Sequence, residues 1–209
     1  AETVEYQLHQ NDGWKPDFSD IASKMDDDVR LLVLINPNNP CGTVCGESDV
    51  DALLSIAREY PNCIVVADEI YDGLDFTGRH VSVASRSSDV PVIALNGVSK
   101  VYYAPGWRIG YMALHDPAHR MKLVRDGLER LLRSRLCAST PAQMGYLAGL
   151  ESDREWMKGY ADRVMKQRDH CLKRIKEIDG LEVEQPGGAF YMFIRLTDEQ
   201  WAADDKAFV

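Results

Sequence analysis

Three short apolar runs, each cut off by polar residues, constrain this chain more than any other feature. Residues 31–35 (LLVLI), 63–67 (CIVVA) and 92–95 (VIAL) are continuous and rich in β-favouring side chains. Unbroken runs of that length are expected of strands buried on both faces of a parallel sheet. The first is ended by Asn36-Pro37-Asn38-Asn39-Pro40-Cys41-Gly42, the second by Asp68-Glu69 and the third by Asn96-Gly97, none suited to prolonging a buried ladder. Between the first two runs, Ser48 with Asp51 three residues on reads as a capping-box-like start. Val50, Leu53, Leu54, Ile56 and Ala57 then keep helical spacing as far as Glu59. The stretch 71–90 is polar and is expected to be mostly irregular, and 109–114 is expected to form a fourth strand. The pattern predicts an α/β fold with a mostly parallel sheet.

The strand ends matter most, because ligands of open α/β sheets bind beyond the carboxyl ends of the strands. Asn39 lies past the first end, Asp68 and Tyr71 at the second, and Ser99-Lys100 past the third. Three strands therefore deliver polar groups to one rim. The third opens the stretch 92–111 (VIALNGVSKVYYAPGWRIGY), in which Arg108 follows the lysine by eight residues. A lysine is ordinarily a solvated surface residue, and it is the convergence on the rim that singles out Lys100.

Beyond Asp116-Pro117 the chain reads as helical. Met121, Val124, Leu128, Leu131, Leu132 and Leu136 fit one amphipathic helix, with Arg133-Ser134-Arg135 on its solvated face. Thr140 before Pro141 reads as the cap of a second helix, reaching Leu150. A third, over 154–178, carries a sparse stripe of Trp156, Tyr160, Val164, Cys171, Ile175 and Ile178, as suits a helix joining two bodies. Alternation at 181–184 and the run 189–194 after Gly187-Gly188 predict two strands of a smaller unit, and the last residues read as the start of a helix. The expected organisation is a large domain over 1–150, a connecting helix over 151–178 and the start of a small domain over 179–209, both ends looking cut.

Composition excludes several classes. A net charge of −9 argues against a nucleic-acid binder, and no run is apolar enough for a membrane span. The five cysteines show no disulfide-scaffold spacing, from which reduced thiols and a cytoplasmic setting are expected.

A lysine, a carboxylate, a phenol, an amide, a hydroxyl and an arginine at one rim suit an anionic heteroaromatic cofactor. Arg108 can fork onto a phosphate, helped by Ser99. Lys100 can form an imine with a cofactor aldehyde, and Asp68 can hold a ring nitrogen protonated. At about 4 Å and an effective dielectric near 20, such a pair gains on the order of 4 kcal/mol, raising the ring-nitrogen pKa by about 3. Tyr71 and Asn39 can donate to a ring hydroxyl oxygen. These are roles that serve pyridoxal 5′-phosphate.

The stretches NPNNPCG (36–42), ADEIYDGL (67–74) and SKVYYAPGWRIGY (99–111) resemble fold-type-I pyridoxal-phosphate aminotransferases, and the resemblance covers essentially the whole chain. NGVSK, RLCASTPAQ (135–143) and PGGAFYMF (186–193) look most like the alanine aminotransferase subgroup. The resemblance implies a three-layer α/β/α large domain with the start of a small α+β domain. It implies ping-pong transfer of an amino group between an L-amino acid, alanine foremost, and a 2-oxo acid (pyruvate or 2-oxoglutarate), in a homodimer. It makes Lys100 the Schiff-base lysine and proton shuttle and pairs Asp68 with the pyridine nitrogen. Tyr71 and Asn39 fall on the ring oxygen, and Ser99 and Arg108 on the phosphate. Asn39 also falls on the substrate carboxylate, with a cis Asn39-Pro40 bond. One departure is Gly97, where many relatives carry a phosphate-binding serine. Relatives are about twice as long, so this stretch alone is expected to be nearly inactive. Another enzyme on the same cofactor (a decarboxylase, synthase or lyase) and a non-catalytic sensor domain are the alternatives.

Other residues read more plainly. Glu69 is expected to be structural, since neighbours on a strand face opposite ways. Cys41 and Cys45 lack a second ligand pair, and His115 and His119 lack a third ligand. Trp107 and Tyr111 are expected to pack around Arg108, Tyr102 and Tyr103 are open to either role, and Gly187-Gly188 reads as a turn, although the resemblance implies that this strand faces the substrate side.

Overall fold

The computed structural model describes residues 2–153 and 155–208. In chain order the elements are β1 (Leu8–His9), β2 (Lys15–Pro16), α1 (Phe18–Lys24), β3 (Leu31–Ile35), α2 (Glu47–Arg58), β4 (Ile64–Asp68), α3 (Val83–Arg86), β5 (Val92–Gly97) and β6 (Gly110–His115). They continue with α4 (Lys122–Arg135), α5 (Thr140–Glu151), α6 (Glu155–Ile175), β7 (Leu181–Val183), β8 (Ile194–Leu196), α7 (Glu199–Ala203) and α8 (Asp205–Phe208). The fold is α/β, with a central sheet ordered β3-β4-β5-β6.

The three apolar runs form the parallel part of that sheet. β6 runs antiparallel to β5, so the fourth strand departs from the parallel arrangement. That pairing also lengthens β5: Asn96 and Gly97, expected to end the strand, stay in it opposite Tyr111 and Gly110. β4 likewise runs one residue further than its apolar run, so Asp68 closes the strand, paired with Ile35 on one side and Leu95 on the other.

One face of the sheet packs against helices. Leu32, Leu34, Val65, Ala67 and Val92 meet Ile21 of α1, Val50, Leu53, Leu54 and Ala57 of α2, and Val83 of α3. Each valine, leucine or isoleucine among them, fully buried, contributes about 1.5–3 kcal/mol. β3 does not match the expectation of burial on both faces: Leu31 and Val33 are 55% and 45% exposed while their alternating neighbours are buried. Beyond β5, Val98 and Ile109 pack with Ala142 and Tyr146 of α5.

Several boundaries follow local chemistry that the sequence pattern did not rank. α2 begins at Glu47 rather than near Ser48, because Gly46 takes the cap position and its N–H donates to Asp49 Oδ2 at 3.0 Å. Ser139, not Thr140, caps α5, and it does so without a side-chain hydrogen bond. On α6 the buried stripe is Tyr160, Val164 and Leu172, whereas Cys171 is exposed. The expected strand over 189–194 does not form; its place in the ladder is taken by β8, paired antiparallel with β7. At the start of the expected strand Ala189 N is spent on Leu74 O, and Ala189 at φ 56° takes the chain out of extended geometry.

Burial sets an alkaline limit on this fold. It pushes the Cys63 thiol from 9.0 up to about 11 and the Cys45 thiol to about 12. Tyr6 is pushed from 10.0 to about 12, chiefly by the same cause. The unfolded chain therefore gives up these protons first, so stability is fully present below pH 9 and is lost as pH rises toward the folded values. Between about pH 9 and 10 each buried thiol removes on the order of 1 kcal/mol. Urea midpoints measured at about pH 8, 9 and 10 should fall above pH 9, and less steeply in Cys45→Ala. Midpoints that stay level would contradict the assignment.

Candidate active site

The register of the parallel strands fixes the rim. With Ile35, Asp68 and Leu95 side by side, the chain leaves β3, β4 and β5 at one edge of the sheet. Two backbone bonds carry the pairing past the strand ends: Asn36 N donates to Asp68 O at 3.0 Å, and Glu69 N to Leu95 O at 2.9 Å. Asn36 is itself buried, its amide donating to Cys45 O at 3.0 Å and accepting from Cys45 N at 2.9 Å. Those bonds hold loop 36–45 in a fixed curl, in which the Asn36-Pro37 and Asn39-Pro40 peptides are both cis.

From this rim the side chains diverge in role. Glu69 turns into the protein and accepts from Val83 N at 2.9 Å, and burial raises its carboxyl above the usual range. That is the structural part expected of it. Asp68 remains half-buried, with Oδ1 accepting from Ile70 N at 3.2 Å. Tyr71 is buried, and its hydroxyl lies 2.7 Å from that of Tyr191. Desolvation, then the bond to Tyr191, pushes the Tyr71 phenol well above its ordinary range, while a hydrogen bond from the Asn39 amide works in the other direction.

Lys100 Nζ lies 5.7 Å from the centre of the Tyr71 ring and 5.6 Å from that of Phe190. Such cation–π contacts stabilise a cation by about 0.5–2 kcal/mol each. Among the described residues Lys100 is in no ion pair, so this half-buried amine faces aromatic rings instead of a carboxylate. It opens into a cavity of about 500 Å³ whose wall includes Ser99, Tyr103, Tyr160, Arg168 and Phe190.

The expected site residues are thus mostly gathered. Ser99 and Lys100 line the cavity, Tyr71 lies beside Lys100, and Asp68 and Asn39 act on Tyr71. Arg108 stands apart from that cavity: it follows the turn Pro105–Trp107 and returns its Nη1 to Pro105 O at 2.9 Å. Gly97 has a packing reason. A Cβ there would lie 2.8 Å from Ile109 O and 2.9 Å from Gly110 Cα, so the β5–β6 pairing leaves no room for a serine. Trp107 and Tyr111 do pack, but on α5 rather than around Arg108. A Cβ on Gly145 would lie 2.6 Å from the Trp107 ring, and Tyr111 stacks on Tyr146 at 6.2 Å. Tyr102 is a packing residue too, its ring 5.5 Å from Tyr146 and 5.4 Å from Trp156.

The resemblance had the strand after Gly187-Gly188 facing the substrate side, but it did not reveal the ties that make residues 186–191 the far wall of the cavity. Gly187 N and Gly188 N both donate to Gly42 O, at 2.9 and 2.8 Å, and Ala189 N donates to Leu74 O at 2.9 Å. Phe76 N donates back to Gly187 O at 2.8 Å. These bonds tie the segment to the loops after β3 and β4, and one of them spends the Ala189 N–H at the start of the strand expected over 189–194. Ala189, at φ 56°, then turns Phe190 and Tyr191 onto Tyr71. Arg168 braces the segment, donating to Pro186 O at 2.9 Å with its guanidinium 5.1 Å from the Phe76 ring centre. The signal for Arg168 was present, since Tyr160, Val164 and Arg168 follow one another at four-residue steps along one face of α6. Nothing local pointed to the tie between Gly42 and Gly187.

The family described as aminotransferase class I and II matches residues 1–209. A Mycobacterium tuberculosis alanine aminotransferase is 34% identical over 206 residues, spanning 97% of this chain and 48% of that protein. A glutamate-pyruvate aminotransferase of Escherichia coli is 36% identical over 209 residues, spanning 98% of this chain and 51% of that one. An alanine aminotransferase structure from Pyrococcus furiosus superposes with a TM-score of 0.95 at 42% identity, covering 100% of this chain and 52% of that one. The chain spans about half the length of the curated relatives it matches.

Proposed function

The chain belongs to the aminotransferase class I and II family, and from that premise we propose that it carries the cofactor-anchoring part of an alanine-type aminotransferase. The reaction moves an amino group between an L-amino acid, alanine foremost, and a 2-oxo acid such as 2-oxoglutarate. The relatives named for alanine and for glutamate-pyruvate transfer support that choice. The observation that carries it is Lys100, a half-buried amine facing two aromatic rings at the end of a cavity, with a phenol, an amide and a carboxylate beside it.

These residues fit pyridoxal 5′-phosphate. An amine with no carboxylate partner among the described residues suits a carbonyl group, the Ser99 hydroxyl suits a phosphate, and the Tyr71–Asn39 pair suits a ring oxygen. When bound, the cofactor supplies an aldehyde and an electron-withdrawing ring that makes the substrate Cα–H acidic. Lys100 Nζ serves first as the covalent anchor and then as the base that carries a proton to and from the substrate Cα. Asp68 holds its negative charge toward the ring nitrogen, and Tyr71 and Asn39 orient the ring. Ser99 takes the phosphate, with Arg108 joining it once its guanidinium leaves Pro105 O. Asn39 also meets the substrate carboxylate. In this reading residues 1–150 form the large domain, 151–178 the connecting helix and 179–209 the start of the small domain, in a cytoplasmic homodimer.

The test is a half-reaction. The intact protein, loaded with pyridoxal phosphate and mixed with L-alanine, should release pyruvate in amounts matching the cofactor. Added 2-oxoglutarate should then be converted to glutamate. Carbon dioxide in place of pyruvate would identify a decarboxylase and overturn the proposal.

A further inference from the structure

We infer that Phe190 is a positioning residue of the reaction: its ring steadies the positive charge that appears on Lys100 Nζ when the amine takes the substrate Cα proton. The inference rests on the reading of Lys100 given above and adds to it a residue from the far wall.

In the step assigned to Lys100 the substrate Cα–H bond breaks, its electron pair stays with the substrate and cofactor, and a new N–H bond forms at Nζ. A neutral amine thus becomes an ammonium inside a half-buried site, where an unpaired cation is costly. Among the described residues no ion pair is there to offset it. No carboxylate lines the cavity either. The other charged side chain on its wall is Arg168, a second cation already held by Asp169 and Pro186 O. What Nζ does face is two rings, Tyr71 at 5.7 Å and Phe190 at 5.6 Å from the ring centres. Both lie within the range of about 6 Å over which a ring face attracts a cation.

The two rings differ in what else they do. Tyr71 is buried, with its hydroxyl 2.7 Å from that of Tyr191. Phe190 has no polar atom on its side chain and is 43% exposed on the cavity wall, so its ring is not spent on filling a core. Its place is fixed all the same. Ala189 N donates to Leu74 O at 2.9 Å, and the buried Ala189, at φ 56°, delivers Phe190 to the cavity from backbone tied to the loop after β4. The ring then packs against Tyr71 and Tyr191, with ring centres 5.4 and 4.8 Å away. The charge on Nζ is absent before the transfer and present after it. The ring therefore stabilises the transition state more than the starting amine, and the step is faster for it.

The test is the single-turnover rate of the L-alanine half-reaction in the intact protein loaded with pyridoxal phosphate. It is run at a pH above which the rate no longer rises, so that the amine starts neutral. Phe190 is replaced by phenylalanines bearing one, two or three ring fluorines, which keep the shape of the ring and drain its face of negative potential. Phe190→Leu removes the ring altogether. The rate should fall with each added fluorine, and Phe190→Leu should lose roughly 2- to 30-fold. A primary isotope effect with Cα-deuterated alanine should accompany the fall in every variant, since proton transfer is the step that slows. A rate that stays level across the fluorine series, or one that falls without an isotope effect, would overturn the inference and leave Phe190 a packing residue. A wild-type protein without a visible band that depends on Lys100 would instead overturn the cofactor reading, so the two failures are told apart.

Discussion

Lys100→Ala should yield a folded protein that gains no visible absorbance band on mixing with pyridoxal phosphate. Amino transfer should fall by at least about a thousandfold. The expected loss follows from two roles in one amine. Removal of the covalent anchor leaves the cofactor held by non-covalent contacts alone. Removal of the base withdraws proton transfer at the substrate Cα, a contribution typically worth about 10²–10⁴-fold. Folding should be nearly untouched. The amine sits in no ion pair among the described residues, and its two ring contacts are worth about 0.5–2 kcal/mol each at most. For a chain of this size about 1 kcal/mol moves the thermal midpoint by roughly 2–4 °C. Lys122→Ala, at the exposed start of α4, should leave both the band and the midpoint in place. A Lys100→Ala protein that keeps the band would place the anchor elsewhere.

Gly42→Ala should be the most damaging single change outside the chemistry. Gly42 has φ +69°, a conformation that costs a residue with a Cβ about 1–2 kcal/mol. The added atom would also lie 2.4 Å from Pro186 Cβ and 2.9 Å from Gly188 O, neither of which can swing aside. Overpacking of this kind costs about 1–3 kcal/mol, so the total is roughly 3 kcal/mol. The thermal midpoint should drop by roughly 6–12 °C. The change should also push the far wall off Gly42 O, carrying Phe190 and Tyr191 away from Tyr71. Binding of pyridoxal phosphate, followed by the same absorbance band, should weaken along with stability. A variant as stable as wild type would mean that loops 36–45 and 186–191 are not locked together.

The difference between what was legible in the sequence and what was not follows from the range of the interactions. The rim could be read because each of its residues sits at the end of an apolar run, and the register of a parallel sheet aligns those ends. Lys100, Ser99, Asp68, Tyr71 and Asn39 were assigned to the rim in that way, and the fold brings them near one another. Arg108 was read into the same cluster, but its guanidinium folds back onto Pro105, a choice made by local turn geometry. The strand expected over 189–194 was misplaced because its apolar pattern suits a strand, yet Ala189 N and the two glycines before it go to backbone carbonyls of Leu74 and Gly42, more than a hundred residues away in sequence. Tyr191 therefore could not be seen until that long-range tie was in place. The antiparallel β6 escaped for a similar reason: periodicity reveals a strand, but its direction depends on what it pairs with.

The central claim is that Lys100 is the residue to which the cofactor becomes attached. It is tested most directly by adding pyridoxal phosphate to the chain, reducing with borohydride, digesting and locating the modified peptide by mass. The predicted result is a single phosphopyridoxyl increment on the peptide that contains Lys100, absent from the Lys100→Ala digest. The increment on another lysine, such as Lys15 or Lys24, or spread evenly over the surface lysines, would contradict it.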